Sequence, residues 1–558
     1  MVKRILTFIT TEIRGLHEAA YLLAIFAFLS QVLALVRDKL LAFNFGAGEV
    51  VDMYYAAFRI PDFVFVTVAT LVSASVIVPF IVEKIEKGHT ELHTFIREIT
   101  TLFGILMVIV GGVAWFAMPT LVSIALPGFT GDSFILVVQA SRIMLLSPIL
   151  LGISNILGSI AQAHHRFALF ALSPIFYNVG IIFGIVILYP YFGYTGLIWG
   201  VIVGAFLHMA IQLPFVFSQR LIPLPVWPIS VKNVSRVLML SVPRTIAISA
   251  NQFMLLTLTA GASLVGKGAV AALSFAWNLQ AVPLTIIGVS YSSAAFPTLA
   301  RLYSAGDTQA FVKQLVTSAR HIIFWSLIIS VLFIVLRAQI VRVVLGSGQF
   351  DWSDTRITAA MLALFAVSAV AQSLILLFTR AFYAIGQTIK PLIINVGGAV
   401  LIFVLASFAL KTYINCESCS AVINELMKVQ GISGTGILSL AIAYSLGTIL
   451  TMIVLWLTLE RQVTTFTRPL LRTLFDVGSA SIIMGYVTYI MLRPLSEVFP
   501  LTTVTNVFFQ GFFAGCTGIV IGIGVLLALK NMEVAEIWKA LHAKIWKARI
   551  VKSGAGLE

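Results

Sequence analysis

Charged and strongly polar residues are scarce in this chain, and those able to do chemistry stand inside or beside apolar runs: Gln31, Arg37, Asp38, Asp52, Arg59 and Asn278. A charge in hydrocarbon costs about 3 kcal/mol on insertion scales, so each one asks for a partner or a purpose. Arginine presents a planar fork of N–H donors that matches phosphate and pyrophosphate. Arg37 is therefore a candidate phosphate contact in a water-filled cavity, with a structural bridge as the competing reading. Neighbouring positions on a helix point to different faces, so Arg37 and Asp38 are not expected to pair with each other. Arg59 and Asp62, spaced i,i+3, could pair, and Pro61 between them permits a kink. Arg244, Asn251, Gln252, Asn278, Gln280 and Pro283 form a second polar set. It either converges with the first on one cavity or glues helices together.

Catalytic patterns are missing. No GxSxG, Walker loop or HExxH occurs, and His164-His165 are adjacent residues that cannot share one metal comfortably. No metal or cofactor is expected beyond a coupling ion, Na+ or H+, or the membrane potential. Cys416-Glu-Ser-Cys419 is a lone CxxC, equally consistent with a local disulfide and with two thiols, and Cys516 inside an apolar run reads as packing.

The elements that must position these residues follow from composition. The chain has 558 residues, 59% hydrophobic and 10% charged. A soluble domain carries roughly a quarter charged residues, so the apolar excess must face lipid. The net charge of +14 lies in short stretches between apolar runs, with no basic stripe interleaved with aromatics, so nucleic acid is not an expected partner. About fourteen segments reach the length of roughly 20 apolar residues that a spanning helix needs. They run at 19–43, 53–83, 96–118, 133–162, 168–190, 195–218, 234–263, 268–299, 314–337, 356–384, 391–411, 435–459, 470–492 and 503–529. Lys and Arg concentrate in alternate connections, the 338–356 stretch fitting least well, and this alternation predicts an even number of spans with both termini in the cytoplasm.

The sequence also repeats. Pro174-Ile-Phe-Tyr-Asn-Val-Gly180 returns as Pro391-Leu-Ile-Ile-Asn-Val-Gly397, and Ser75-Val-Ile-Val-Pro79 has its counterpart in Ser293-Ala-Ala-Phe-Pro297. The nearly equal offsets describe a parallel pseudo-repeat of six helices. The expected organisation is an all-α membrane protein. It has an amphipathic segment at 1–18, an N-lobe at 19–220, a C-lobe at 221–462, two extra helices at 463–530, an amphipathic helix at 531–552 and a linker-like remnant at 553–558.

Several motifs then fall into order. Leu35-Val-Arg37-Asp38-Lys-Leu-Leu, Phe45-Gly-Ala-Gly48 with Asp52, and Ala57-Phe-Arg-Ile-Pro61 resemble the opening signature of the MurJ/MviN lipid-flippase family. Ala125-Leu-Pro-Gly-Phe129, Gly193-Tyr-Thr-Gly196, Gln212-Leu-Pro214 and Leu345-Gly-Ser-Gly-Gln-Phe350 with Asp354 resemble its later segments. The resemblance implies a multidrug/oligosaccharidyl-lipid/polysaccharide exporter fold in a bacterial cytoplasmic (inner) membrane, working as a monomer by alternating access. It implies that a polyprenyl-pyrophosphate-linked saccharide, lipid II, is carried with its tail along the two extra helices among membrane lipids. Arg37 and Arg59 would contact phosphate, Asp38 and Asp52 would orient or gate, and Gln31 and Asn278 would meet sugar or water. The family pattern places arginines where this chain has Gln31, Phe65 and Asn278. Two rivals stand beside this reading: a cation-coupled exporter of small amphipathic compounds using Asp38, and a membrane scaffold that transports nothing.

Overall fold

The computed structural model describes residues 16–463 and 466–536, and these are helical with no strand among the described residues. In order the helices are α1 Leu16–Phe45, α2 Glu49–Ala69, α3 Ala74–Lys87 and α4 His89–Ala125. There follow α5 Gly131–Ala163, α6 Phe167–Phe192, α7 Tyr194–Ser218, α8 Val231–Val265 and α9 Ala269–Ser304. The remainder are α10 Thr308–Val335, α11 Arg337–Val344, α12 Trp352–Val367, α13 Ala369–Ala384, α14 Ile389–Asn415, α15 Glu417–Met427, α16 Ile437–Glu460, α17 Thr467–Val498 and α18 Val504–Ala528. The predicted segments at 1–15 and from 537 onward, including the linker-like remnant, lie outside the described residues.

Among the described residues, eleven helices are long and apolar enough to cross a membrane, and the α12–α13 pair, bent by 43°, makes a twelfth as one broken span. The other two segments read from the sequence are α1 and the α2–α3 stretch. Residues 19–36 of α1 are apolar and carry no charge, ahead of Arg37-Asp38-Lys39, whereas α2 carries Glu49, Asp52, Arg59 and Asp62 within 21 residues. Helices are the available solution because every backbone donor and acceptor must be met inside the segment in lipid. The repeat shows in the helix breaks. A 3₁₀ turn, Thr70–Val72, precedes the helix holding Pro79, and a wide π turn, Leu284–Val289, precedes the stretch holding Pro297.

By its contacts the chain forms two compact units. The first takes in the chain up to Phe275 with Val344–Ile357 and Asn395–Ala443; the second comprises Ala276–Val343, Thr358–Ile394 and the chain from Tyr444. Lipid tails are as apolar as leucine, so close packing rather than water exclusion holds such helices together. In the first unit α6 and α7 meet through glycine: a Cβ on Gly184 would lie 2.4 Å from the Gly200 Cα, and one on Gly180 would lie 2.2 Å from the Gly204 Cα. In the second unit Phe311, Leu315, Ile322, Phe378, Phe382 and Phe466 close one core. There α18 turns Gly511, Ala514, Gly518 and Gly522 inward, and Cys516 falls on its outer side. The expectation that Cys516 packs inside is thus corrected: the small-residue face, not the thiol, makes the contact. Cys416 and Cys419 are joined as a disulfide at the start of α15.

Candidate functional site

Arg37 sits in the last third of α1, and its guanidinium is held by α1 and α6, with α2 bonded to its carboxylate partner. Nε donates to Asp38 Oδ1 at 2.9 Å, Nη2 approaches the same oxygen at 2.8 Å, and Nη1 donates to Asn178 Oδ1 on α6 at 3.3 Å. Tyr55 on α2 donates its hydroxyl to Asp38 Oδ1 at 3.1 Å. Asn178 in turn donates to the Pro174 carbonyl at 3.0 Å and to Ser30 Oγ at 3.4 Å. The expectation that Arg37 and Asp38 do not pair is therefore corrected. Their Cβ atoms diverge, but the arginine stem is long enough to fold its head back onto the neighbouring carboxylate. The two partners are presented unequally: Arg37 keeps 17% of its side chain exposed and Asp38 keeps 3%. The exposed part of the pair is therefore guanidinium and not carboxylate.

Asp52 does something different. Its Oδ2 accepts the Gly268 N–H at 2.5 Å and its Oδ1 the Ala271 N–H at 2.7 Å, so it caps the first turn of α9 from across the unit. The opening N–H groups of a helix have no partner within it and carry a positive partial charge, which a buried carboxylate satisfies. The same place gathers the Gly-rich motifs. Asp354 Oδ2 accepts the Ala47 N–H at 2.9 Å, and the Phe43 carbonyl accepts the Gln349 N–H at 2.9 Å. Gly348, at φ +61, has no room for a side chain, since a Cβ would stand 2.2 Å from the Phe43 carbonyl oxygen. At the rim Lys267 Nζ lies 2.7 Å from Glu49 Oε2, and that bond holds the ammonium above the usual lysine range. Three stretches far apart in sequence, around 43–52, 267–271 and 348–354, thus close on one another.

The remaining predicted residues make other contacts. Arg59 is half-buried on α2, where Nη2 donates to Ser274 Oγ at 3.3 Å and Nε is buried without an acceptor. Arg59 and Asp62 act on each other electrostatically, with no direct hydrogen bond or ion-pair contact between them among the described residues. Gln31 is half-buried on α1 and Phe65 half-buried on α2. Asn278 belongs to the second unit, as do Gln280 and Gln372, which bond to each other at 3.2 Å. The Arg244 side chain lies outside the described residues. Asn178 and Tyr55 were not among the residues expected at the site, although Asn178 is the conspicuous asparagine of the repeated Pro-x-x-x-Asn stretch. The arrangement around Arg37 offers a guanidinium of the kind that pairs with an anion; no cluster of metal-ligating side chains occurs among the described residues.

Lipid-length helices, breaks beside prolines and a half-buried arginine on an internal polar network define a multi-pass membrane protein of transporter build. Solved structures with this fold include "Lipid II flippase MurJ, inward closed conformation", with TM-score 0.72 and 20% identity, covering 93% of this chain and 99% of that one. They also include an inward-facing multidrug resistance MATE family transporter of the MOP superfamily, with TM-score 0.65 and 14% identity, covering 78% of this chain and 94% of that one. The profile of the family described as "Lipid II flippase MurJ" matches residues 41–509, and the chain belongs to that family. Among its relatives, the probable lipid II flippase MurJ of Buchnera aphidicola subsp. Acyrthosiphon pisum is 28% identical over 372 residues, 65% of this chain and 72% of that protein. The lipid II flippase MurJ of Burkholderia cenocepacia is 25% identical over 438 residues, 76% of this chain and 85% of that protein.

Proposed function

We propose that this protein is a flippase that carries lipid II across the cytoplasmic membrane, and that Arg37 takes the pyrophosphate. The observation that carries the reading is family membership over residues 41–509 together with the presented guanidinium of Arg37, backed by the buried Asp38. Transport of such a lipid requires that a charged headgroup cross a low-dielectric core. An arginine that can exchange its carboxylate partner for a pyrophosphate lowers that cost, because charge-assisted forked bonds are strong where water is scarce. In this reading Asp38 sets the orientation of Arg37, Asp52 governs closure around α9, and Arg59, Gln31 and Asn278 serve the headgroup. The tail lies along α17 and α18. Both termini face the cytoplasm, a monomer does the work, and the membrane potential or an Na+ or H+ gradient drives the cycle. The chain acts as a transporter and not as an enzyme.

Complementation of lipid II flipping in cells depleted of their own flippase tests the reading. Wild type should rescue and Arg37→Ala should not. Removing Arg37 strands a buried carboxylate at a cost of about 3–5 kcal/mol, so Arg37→Lys, which keeps the charge and loses the fork, accompanies it. Rescue by wild type with failure of a well-inserted Arg37→Lys supports the assignment. Absence of rescue by correctly inserted wild type defeats lipid II as the substrate and turns attention to the exporter reading.

A further inference from the structure

Outside the Arg37 cluster, another arginine stands inside a spanning helix. Arg142 lies on α5, about 16 Å along the helix from Gly131. Trp115 lies at a matching depth on α4, about 15 Å from its end at Ala125. The Arg142 guanidinium sits over the Trp115 ring, 4.6 Å from its centroid, and Nε donates to the Trp115 carbonyl at 3.0 Å. Those are its protein partners. No carboxylate neutralises it among the described residues, and its four Nη hydrogens find no protein acceptor.

What Arg142 faces is a groove of about 630 Å³ between α4, α5 and α7. Gly111 and Gly112 form an open floor, with nothing within 4 Å of where a Cβ would stand. Trp199 and Leu146 wall it and are themselves 45% and 44% exposed, so the groove opens outward. Along these helices Val108 and Phe116 are 74% and 77% exposed, the mark of a surface in contact with acyl chains. An arginine without an acid, in an apolar groove open to lipid, is costly unless a lipid phosphate comes to it. Trp115 and Trp199 suit the level where headgroups meet chains.

We propose that this groove is a binding site for one anionic phospholipid, whose phosphodiester takes the free Nη donors of Arg142 and whose acyl chain lies over Gly111 and Gly112. No Asp or Glu lines the groove, so a headgroup carrying its own cation gains nothing further there. The site is separate from Arg37 and does not depend on what the protein transports.

Native mass spectrometry of the full chain in mild detergent tests the site, with phosphatidylglycerol, phosphatidylethanolamine and diacylglycerol as probes. Wild type should retain one phosphatidylglycerol, phosphatidylethanolamine less, and diacylglycerol not at all. Arg142→Gln should weaken phosphatidylglycerol about tenfold or more, the loss expected when a charged hydrogen-bond donor is removed. Gly111→Leu keeps the arginine and fills the floor, and it should weaken the lipid to a similar degree; it carries the test should Arg142→Gln fail to fold. Equal phosphatidylglycerol retention by wild type and Gly111→Leu overturns the proposal. So does retention of diacylglycerol as strong as that of phosphatidylglycerol, or displacement of the lipid by inorganic phosphate, which would make the groove a free-anion site.

Discussion

Replacing Asp52 by alanine should loosen the start of α9 while leaving the rest of the first unit intact. Its carboxylate accepts two backbone N–H groups, from Gly268 at 2.5 Å and Ala271 at 2.7 Å, in a buried setting. A hydrogen bond to a charged group contributes about 1.5–3 kcal/mol, so two at the lower end make roughly 3 kcal/mol. That energy is a factor of roughly 150 in the local opening equilibrium. Hydrogen–deuterium exchange read on peptides covering 266–272 measures it directly, because amides freed by opening exchange in proportion to that equilibrium. Asp52→Asn keeps one acceptor oxygen but sets an amide N–H against a backbone N–H, so it should fall between wild type and alanine. Peptides from the middle of α4 serve as the internal control. Exchange at 266–272 within about threefold of wild type in Asp52→Ala would refute the capping role, since an energy below about 0.7 kcal/mol is no cap of this kind.

Two further outcomes follow from packing and charge. Gly200→Val should lower the thermal stability of the purified protein by the equivalent of about 1–3 kcal/mol or more, because α6 and α7 must part to admit it; Gly104→Val, with open space around it, should not, and equal shifts would discount the glycine contact. Glu533 lies beyond α18, 1% exposed; burial alone would raise its carboxyl, but the hydrogen bond from Arg320 at 2.6 Å and that from Thr473 hold it below the usual range. A depressed carboxyl stabilises above its unfolded pKa of about 4.3 and loses that contribution as pH falls through the folded value, so the melting advantage of wild type over Glu533→Gln should be full near neutrality and fade below about pH 4; a difference constant with pH would count against the pair.

Much of this is legible in the sequence. Apolar length alone places the helices, because lipid leaves the backbone few choices, and the cost of a buried charge is what singles out Arg37. Four things are not. The Arg37–Asp38 pair breaks a rule about Cβ directions that takes no account of a long side chain. Asp52 looks like a substrate residue from its place in a motif, whereas its partners are backbone amides more than 200 positions away, which carry no signature. Asn178 is visible as a repeat marker, and nothing in Pro-x-x-x-Asn distinguishes punctuation from a partner for Arg37. Arg142 passes unnoticed because it lies within a long apolar helix that reads well without it.

The closure of the 43–52, 267–271 and 348–354 stretches also bears on how the protein is made. The amide that Asp52 caps is 216 residues downstream of it. At synthesis rates of roughly 5–20 residues per second, its carboxylate waits about 10–40 s for that partner. The first unit stays incomplete longer still, since it includes Asn395–Ala443. During that interval the ribosome has threaded most of the second unit's early helices into the bilayer. The nascent N-terminal helices must therefore persist as a loosely docked group, which makes the order of insertion, and any membrane chaperone that guards unpaired polar residues, part of what determines the yield of folded protein.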